Sequence, residues 1–124
     1  PGRGRHNIWE LAVHAAYWKY IVTRRITGAS GPAFPHAGRN WFERPAKSDG
    51  SAAAQLERAW RSDLELLAET HAELRAVVSR LAALALDRPA RGHQQTPSFM
   101  IEGIAMHDVY HAGQIQLLRK LTAH

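Results

Sequence analysis

None of the 124 residues is a cysteine, which removes disulfides, thiolate metal sites and a cysteine nucleophile at once. Any metal held by this chain must sit on nitrogen or oxygen ligands. Long apolar runs are also missing. The longest is about six residues, against the roughly 20 that a bilayer-spanning helix requires, so no membrane partner is expected. Pro1-Gly2-Arg3-Gly4-Arg5 carries charge with no apolar segment behind it, which is not a secretory signal. The absence of cysteine fits a cytoplasmic protein. There is no initiator methionine, no internal repeat and no low-complexity tract; the chain is expected to be a processed or trimmed form of a longer protein.

What remains is a sequence with 45% hydrophobic residues, enough to bury one core but too short for two. A single domain over residues 1–124 is expected. Sixteen Lys and Arg against eleven Asp and Glu leave a formal charge of +5. The arginines are spread from Arg3 to Arg119, with no basic run interleaved with aromatics, so no nucleic-acid partner is expected.

The periodicity predicts three long helices and no strand. The first runs from about Asn7 to Thr27, with Asn7 as N-cap and Glu10 completing a capping box. Ile8, Leu11, Ala15, Trp18, Val22 and Ile26 form its apolar stripe, and Gly28 is a natural stop. The second runs from about Ser51 to Leu86, ended by Asp87-Arg88-Pro89. Its inner face carries Leu56, Trp60, Leu64, Leu67, Leu74, Val78 and Leu81. Thr96-Pro97 reads as a cap followed by proline at the first helical position, opening a third helix to about Leu121. The loop from Gly28 to about Gly50 holds Phe34, Trp41 and Phe42. A loop this long in a small domain often walls a site, so an ordered segment laid across helix ends is expected. Three such helices leave apolar surface open. A four-helix bundle closes it, with a fourth helix before Pro1 or a second subunit filling the gap.

The chemistry concentrates in His107-Asp108-Val109-Tyr110-His111. Two imidazoles at i and i+4 lie one turn apart and about 40° apart around a helix, so both can grip one ion. Met100, Ile104, Ile115 and Leu118 flank them, which turns the pair inward, where an imidazole needs a partner for its nitrogens. His14, beside Leu11, Trp18 and Ile21 on the first helix, is the third candidate ligand. Bundle metal sites are assembled in this way from facing helices, and three histidines leave open positions for water or substrate. The bland alternative is three hydrogen-bonded core histidines. Gln114, one turn after His111, is a candidate partner for a ligand or bound water. Tyr17 and Tyr110 can bring a hydroxyl to the pocket or simply pack. His71 ranks lower as a ligand; His6, His36, His93 and His124 are expected in solvent. Asp108 gives H-D-x-x-H, near the H-E-x-x-H of zinc peptidases. No third ligand follows at zincin spacing, so Asp108 is expected to cap the site's edge or face solvent.

His6-Asn7-Ile8-Trp9-Glu10-Leu11 running to His14-Ala15-Ala16-Tyr17-Trp18, the Phe34-Pro35 to Asn40-Trp41-Phe42 loop, and Gly103 to Gln114 together resemble the DinB/YfiT-like family of helical metal-binding proteins. The resemblance implies a four-helix bundle. Its divalent ion, commonly zinc or nickel, is held by one His from an earlier helix and two from the last. By position these are His14, His107 and His111. It also implies frequent homodimers, and a low-molecular-weight thiol as cosubstrate in relatives that act as S-transferases or thiol-dependent isomerases. The family's first helix has no counterpart in this sequence. The expected function is a metal-dependent thiol S-transferase acting on a small-molecule substrate, with Trp41 and Phe42 walling the pocket. A metal-dependent hydrolase and a non-catalytic metal-binding or interaction module are the alternatives. The reaction rests on family analogy alone.

Overall fold

The computed structural model describes residues 5–28, 31–45, 52–90 and 92–123. These form three long helices, α1 (Ile8–Thr27), α2 (Ala53–Arg80) and α3 (Pro97–Thr122), plus a 3-10 turn at Ala83–Ala85. No strand occurs among the described residues. The architecture is all-helical, as the periodicity predicts.

The ends of α1 follow the local chemistry. Asn7 Oδ1 accepts from the Glu10 N–H at 2.8 Å, and the Glu10 carboxylate accepts from the Asn7 N–H at 3.0 Å, so two orphan donors are satisfied reciprocally. Gly28 closes the helix at φ 64°, its N–H donating to Arg24 O at 2.8 Å. Glycine adopts that left-handed conformation without steric cost. At the start of α3, Thr96 Oγ1 accepts from the Phe99 N–H at 3.2 Å.

α1 is the central element and packs against both α2 and α3. Trp9 meets Trp60 of α2, while Val22 joins Leu74 of α2 together with Met100 and Ile104 of α3. As numbers rise along α1 they rise along α2 and fall along α3, so α1 is parallel to α2 and antiparallel to α3. Parallel neighbours need a long crossover. The connection after Gly28 must travel back the length of α1, roughly 30 Å at 1.5 Å per residue. Residues 31–45 serve as part of that return, a strap packed on α1 through Phe34 and Phe42 against Val13 and Tyr17. With α2, α3 and the strap around it, α1 is buried without a break from Leu11 to Tyr17, where the sequence pattern suggests a single stripe.

α2 departs from expectation in two ways. It ends at Arg80, with Leu81 in extended conformation, not near Leu86. The chain leaves the helix to dock on α3, where Leu86 O accepts from the Ser98 N–H at 3.0 Å. Its buried residues are Asp63, Thr70 and Leu74, and Leu64 is turned outward. A hydrophobic count puts a leucine inside before an aspartate. Asp63 goes in because Trp9 Nε1 and His36 Nε2 bond its carboxylate at 2.6 Å each and the Arg44 guanidinium pairs with it, Nε lying 3.1 Å away. Ser51, the expected start of α2, lies outside the described residues.

Candidate metal centre

His14 comes from the buried middle of α1, His107 and His111 from the middle of α3, and the antiparallel packing puts them at one level. The Nε2 atoms of His14 and His107 are 2.9 Å apart, and those of His111 and His107 are 3.0 Å apart. Nitrogens that share one ion at 2.0–2.1 Å each stand about 2.9 Å apart in octahedral and about 3.3 Å apart in tetrahedral geometry, and these separations fall at the short end of that range. His14 and His111 are buried and His107 partly so.

The other ring nitrogens decide what the three Nε2 atoms present. His14 Nδ1 lies 2.6 Å from the Asn40 main-chain oxygen, and His111 Nδ1 lies 2.6 Å from Gln114 Oε1. A carbonyl oxygen only accepts, so both rings donate through Nδ1, which in a neutral imidazole leaves the Nε2 lone pair toward the centre. The Gln114 amide is held in register by its Nε2, which donates to the Tyr110 hydroxyl at 3.3 Å. His107 has a single Nε2 to offer two lone pairs, and its Nδ1 is buried without a hydrogen-bond partner among the described residues. A cation between the three nitrogens is the arrangement this donor set fits.

The electrostatics agree. Burial pushes the His14 imidazole down from 6.5 to about 4, the Asn40 carbonyl opposing the shift and His107 and His111 adding to it. Burial, then His111, lowers His107 as well. Neutral imidazole is the form that ligates.

A family comparison bears on this geometry. The DinB superfamily model matches residues 1–115. The chain belongs to the DinB superfamily. No curated protein and no solved structure matches it.

This DinB chain brings together the three histidines read from its sequence, with Gln114 hydrogen-bonded to His111 as expected of a ligand's partner. Other placements differ. Trp41 does face the site, its ring stacked on His14 at 3.7 Å and 4°, but Phe42 is buried in the core with Val13 and Tyr17. Tyr17 is a packing residue against Phe34 and Phe42. His71 is exposed on α2, and His93 is exposed as expected. His124 lies outside the described residues. Two histidines expected in solvent are engaged. His6 stacks on the far face of Trp41 at 3.5 Å and 3° and bonds Glu10 at 3.2 Å, and His36 bonds Asp63. Asp108, next to His107 and partly exposed, has its carboxylate paired with Lys19 Nζ, a buried ammonium on α1.

The roles of Lys19, of the Asn40 main chain and of the stacked rings around Trp41 are not expected from the sequence. Lys19 sits in a helix stripe otherwise apolar, which is the one signal pointing to it. For Asn40 the signal is its place in the Asn40-Trp41-Phe42 motif and the tolerance of asparagine for positive φ, although its contribution to His14 is a main-chain oxygen.

A cleft of about 150 Å³ between α1 and α3 reaches His107, walled by Trp18, Val22, Phe99, Met100 and Ile104. The larger cavity, about 590 Å³, lies between α1, α2 and the strap and touches none of the three histidines.

Proposed function

We propose that this DinB protein binds one divalent metal ion, zinc or nickel, through Nε2 of His14, His107 and His111, and that it is a metal-dependent S-transferase acting on a small-molecule substrate with a low-molecular-weight thiol as cosubstrate. The observation that carries the metal reading is the convergence of the three Nε2 atoms while Asn40 and Gln114 occupy the opposite nitrogens of two of the rings. A divalent ion here supplies Lewis acidity, which lowers the pKa of a thiol.

The chain's own residues supply the rest. Asn40 and Gln114 orient ligands, as partners of ligating histidines do. Lys19 and Asp108 clamp α1 to α3 beside His107. The cleft along Trp18, Val22 and Phe99 offers an apolar wall beside the centre, a surface suited to the body of a small organic electrophile. We also propose a homodimer, formed on the side of α3 where Phe99, Met106, Tyr110, Leu117 and Leu121 stand exposed.

Elemental analysis of the purified protein tests the metal claim. About one equivalent of zinc or nickel is expected, lost in the His107→Ala, His111→Ala double variant; full retention in that variant rejects the ligand set. A panel of low-molecular-weight thiols with a chromogenic electrophile tests the reaction. Turnover with water alone places the protein among metal-dependent hydrolases, and no metal-dependent rate with any thiol rejects the transferase.

A further inference from the structure

His111 takes its hydrogen-bond partner from its own helix, three residues on, whereas His14 takes its partner from the strap. That difference has a structural origin. The Trp41 N–H donates to Arg39 O at 2.7 Å, closing a three-residue turn with Asn40 at its centre at φ 69°. Asn40 is the one described residue other than glycine with positive φ. Turns of this hand are rare and strained. Here the turn aims the Asn40 carbonyl at His14 Nδ1 and, one residue later, lays the Trp41 ring flat on the same imidazole. The Asn40 side chain is held too, its Oδ1 accepting from Trp18 Nε1 at 2.8 Å. His6 closes the sandwich on the far face of Trp41. At the strap's end, Asn7 Nδ2 donates to Arg44 O at 2.8 Å, and the Arg44 N–H donates to Glu10 Oε1 at 3.2 Å.

We propose that Asn40 and Trp41 are positioning residues for the metal centre, fixing the tautomer and ring plane of His14, so that order in the strap and occupancy of the centre are coupled. The coupling rests on the metal reading above; the tautomer claim does not. Coupling of this kind is reciprocal: if the turn strengthens ion binding by some factor, the ion stabilises the turn by the same factor. The strap is then the non-helical part of a centre whose other partners are helical.

The experiment compares Asn40→Gly, Asn40→Val and Trp41→Leu with the unaltered chain. Zinc affinity is measured by chelator competition, amide exchange at residues 38–42 is measured with and without zinc, and the His14 tautomer is read from nitrogen shifts in the metal-free protein. Glycine keeps the carbonyl and accepts positive φ, so its zinc affinity stays within about threefold. Valine resists that backbone, and its affinity falls about tenfold or more, as losing a ligand's hydrogen-bond partner does. Trp41→Leu falls by about tenfold as well. Zinc slows exchange in the strap of the unaltered chain, and His14 carries its proton on Nδ1. Helical circular dichroism identifies any variant that fails to fold. Equal zinc affinity for the glycine and valine variants overturns the proposal, as does a His14 proton on Nε2. An unaltered chain that binds no zinc refutes the metal reading and the coupling, while the tautomer measurement still decides the positioning of His14.

Discussion

The indole N–H of Trp9 donates to the carboxylate of Asp63 at 2.6 Å, joining the first turns of α1 to α2 through a carboxylate that is 4% exposed. His36 and Arg44 of the strap reach the same carboxylate, so one side chain gathers three segments. Replacing it with alanine strands the indole N–H and leaves the Arg44 charge without its buried counter-ion. Breaking such a group by removing one partner is expensive. Asp63→Ala is expected to lower stability by about 3 kcal/mol in urea unfolding while the metal stoichiometry of the folded protein stays at the unaltered value. A change below about 0.5 kcal/mol would show that water replaces the carboxylate at no penalty.

That residue also marks the limit of what periodicity reveals. The three helices, the Asn7–Glu10 box, the Gly28 stop, the Thr96 cap and the three-histidine set are legible because each depends on residues close in sequence or on a repeat of 3.6. The direction of α2 is not, since a long connection serves a parallel or an antiparallel neighbour alike. Asp63 is read as solvent-facing by any hydrophobic count, and only the hydrogen bonds from Trp9 and His36 and the Arg44 ion pair reverse that. The role of Asn40 is hidden for a different reason: what it gives His14 is a backbone atom aimed by a turn, which its place in the loop motif does not specify.

Acid should weaken the metal-free protein through its buried histidines. His14 is held at about 4 in the fold and His107 is also lowered, whereas both return to about 6.5 when unfolded. Between those values the unfolded chain binds more protons than the folded one, so stability falls as pH falls. The contribution is complete above about 6.5 and is lost progressively below it. Thermal melts of the metal-free protein should shift downward from pH 7 to pH 5, and the shift should shrink in His14→Gln. A melting temperature that is flat over that window contradicts neutral burial of these rings.

The Lys19 ammonium is buried while Asp108 is partly exposed, so the two ends of this ion pair should respond unequally. Asp108→Leu leaves a buried charge unpaired and is expected to cost about 2 kcal/mol. The Lys19→Met, Asp108→Leu double variant removes the charge together with its partner, and it is expected to recover most of that loss. A double-mutant cycle by chemical denaturation gives the coupling. Additive losses across the cycle would mean that the pair does not hold α1 to α3.

The exposed side of α3 is ordered like an interface. Phe99, Met106, Tyr110, Leu117 and Leu121 recur at steps of seven and four, each between 58% and 73% exposed. At about 100° per residue they lie within one narrow stripe, the seam by which one helix packs on another. The stripe is about a quarter-turn from His107 and His111 by the same count, so a partner helix laid on it leaves the three nitrogens uncovered. Gly103 and Gly113 fall beside the stripe, and an added Cβ at either would meet nothing within 4 Å, which allows close approach. Light scattering is expected to give twice the chain mass at tens of micromolar. The Met106→Glu, Leu117→Glu variant should return the single-chain mass with zinc content intact, because neither side chain belongs to the histidine cluster. A single-chain mass for the unaltered protein rejects the homodimer, and loss of zinc together with the dimer would mean that the partner helps to build the centre.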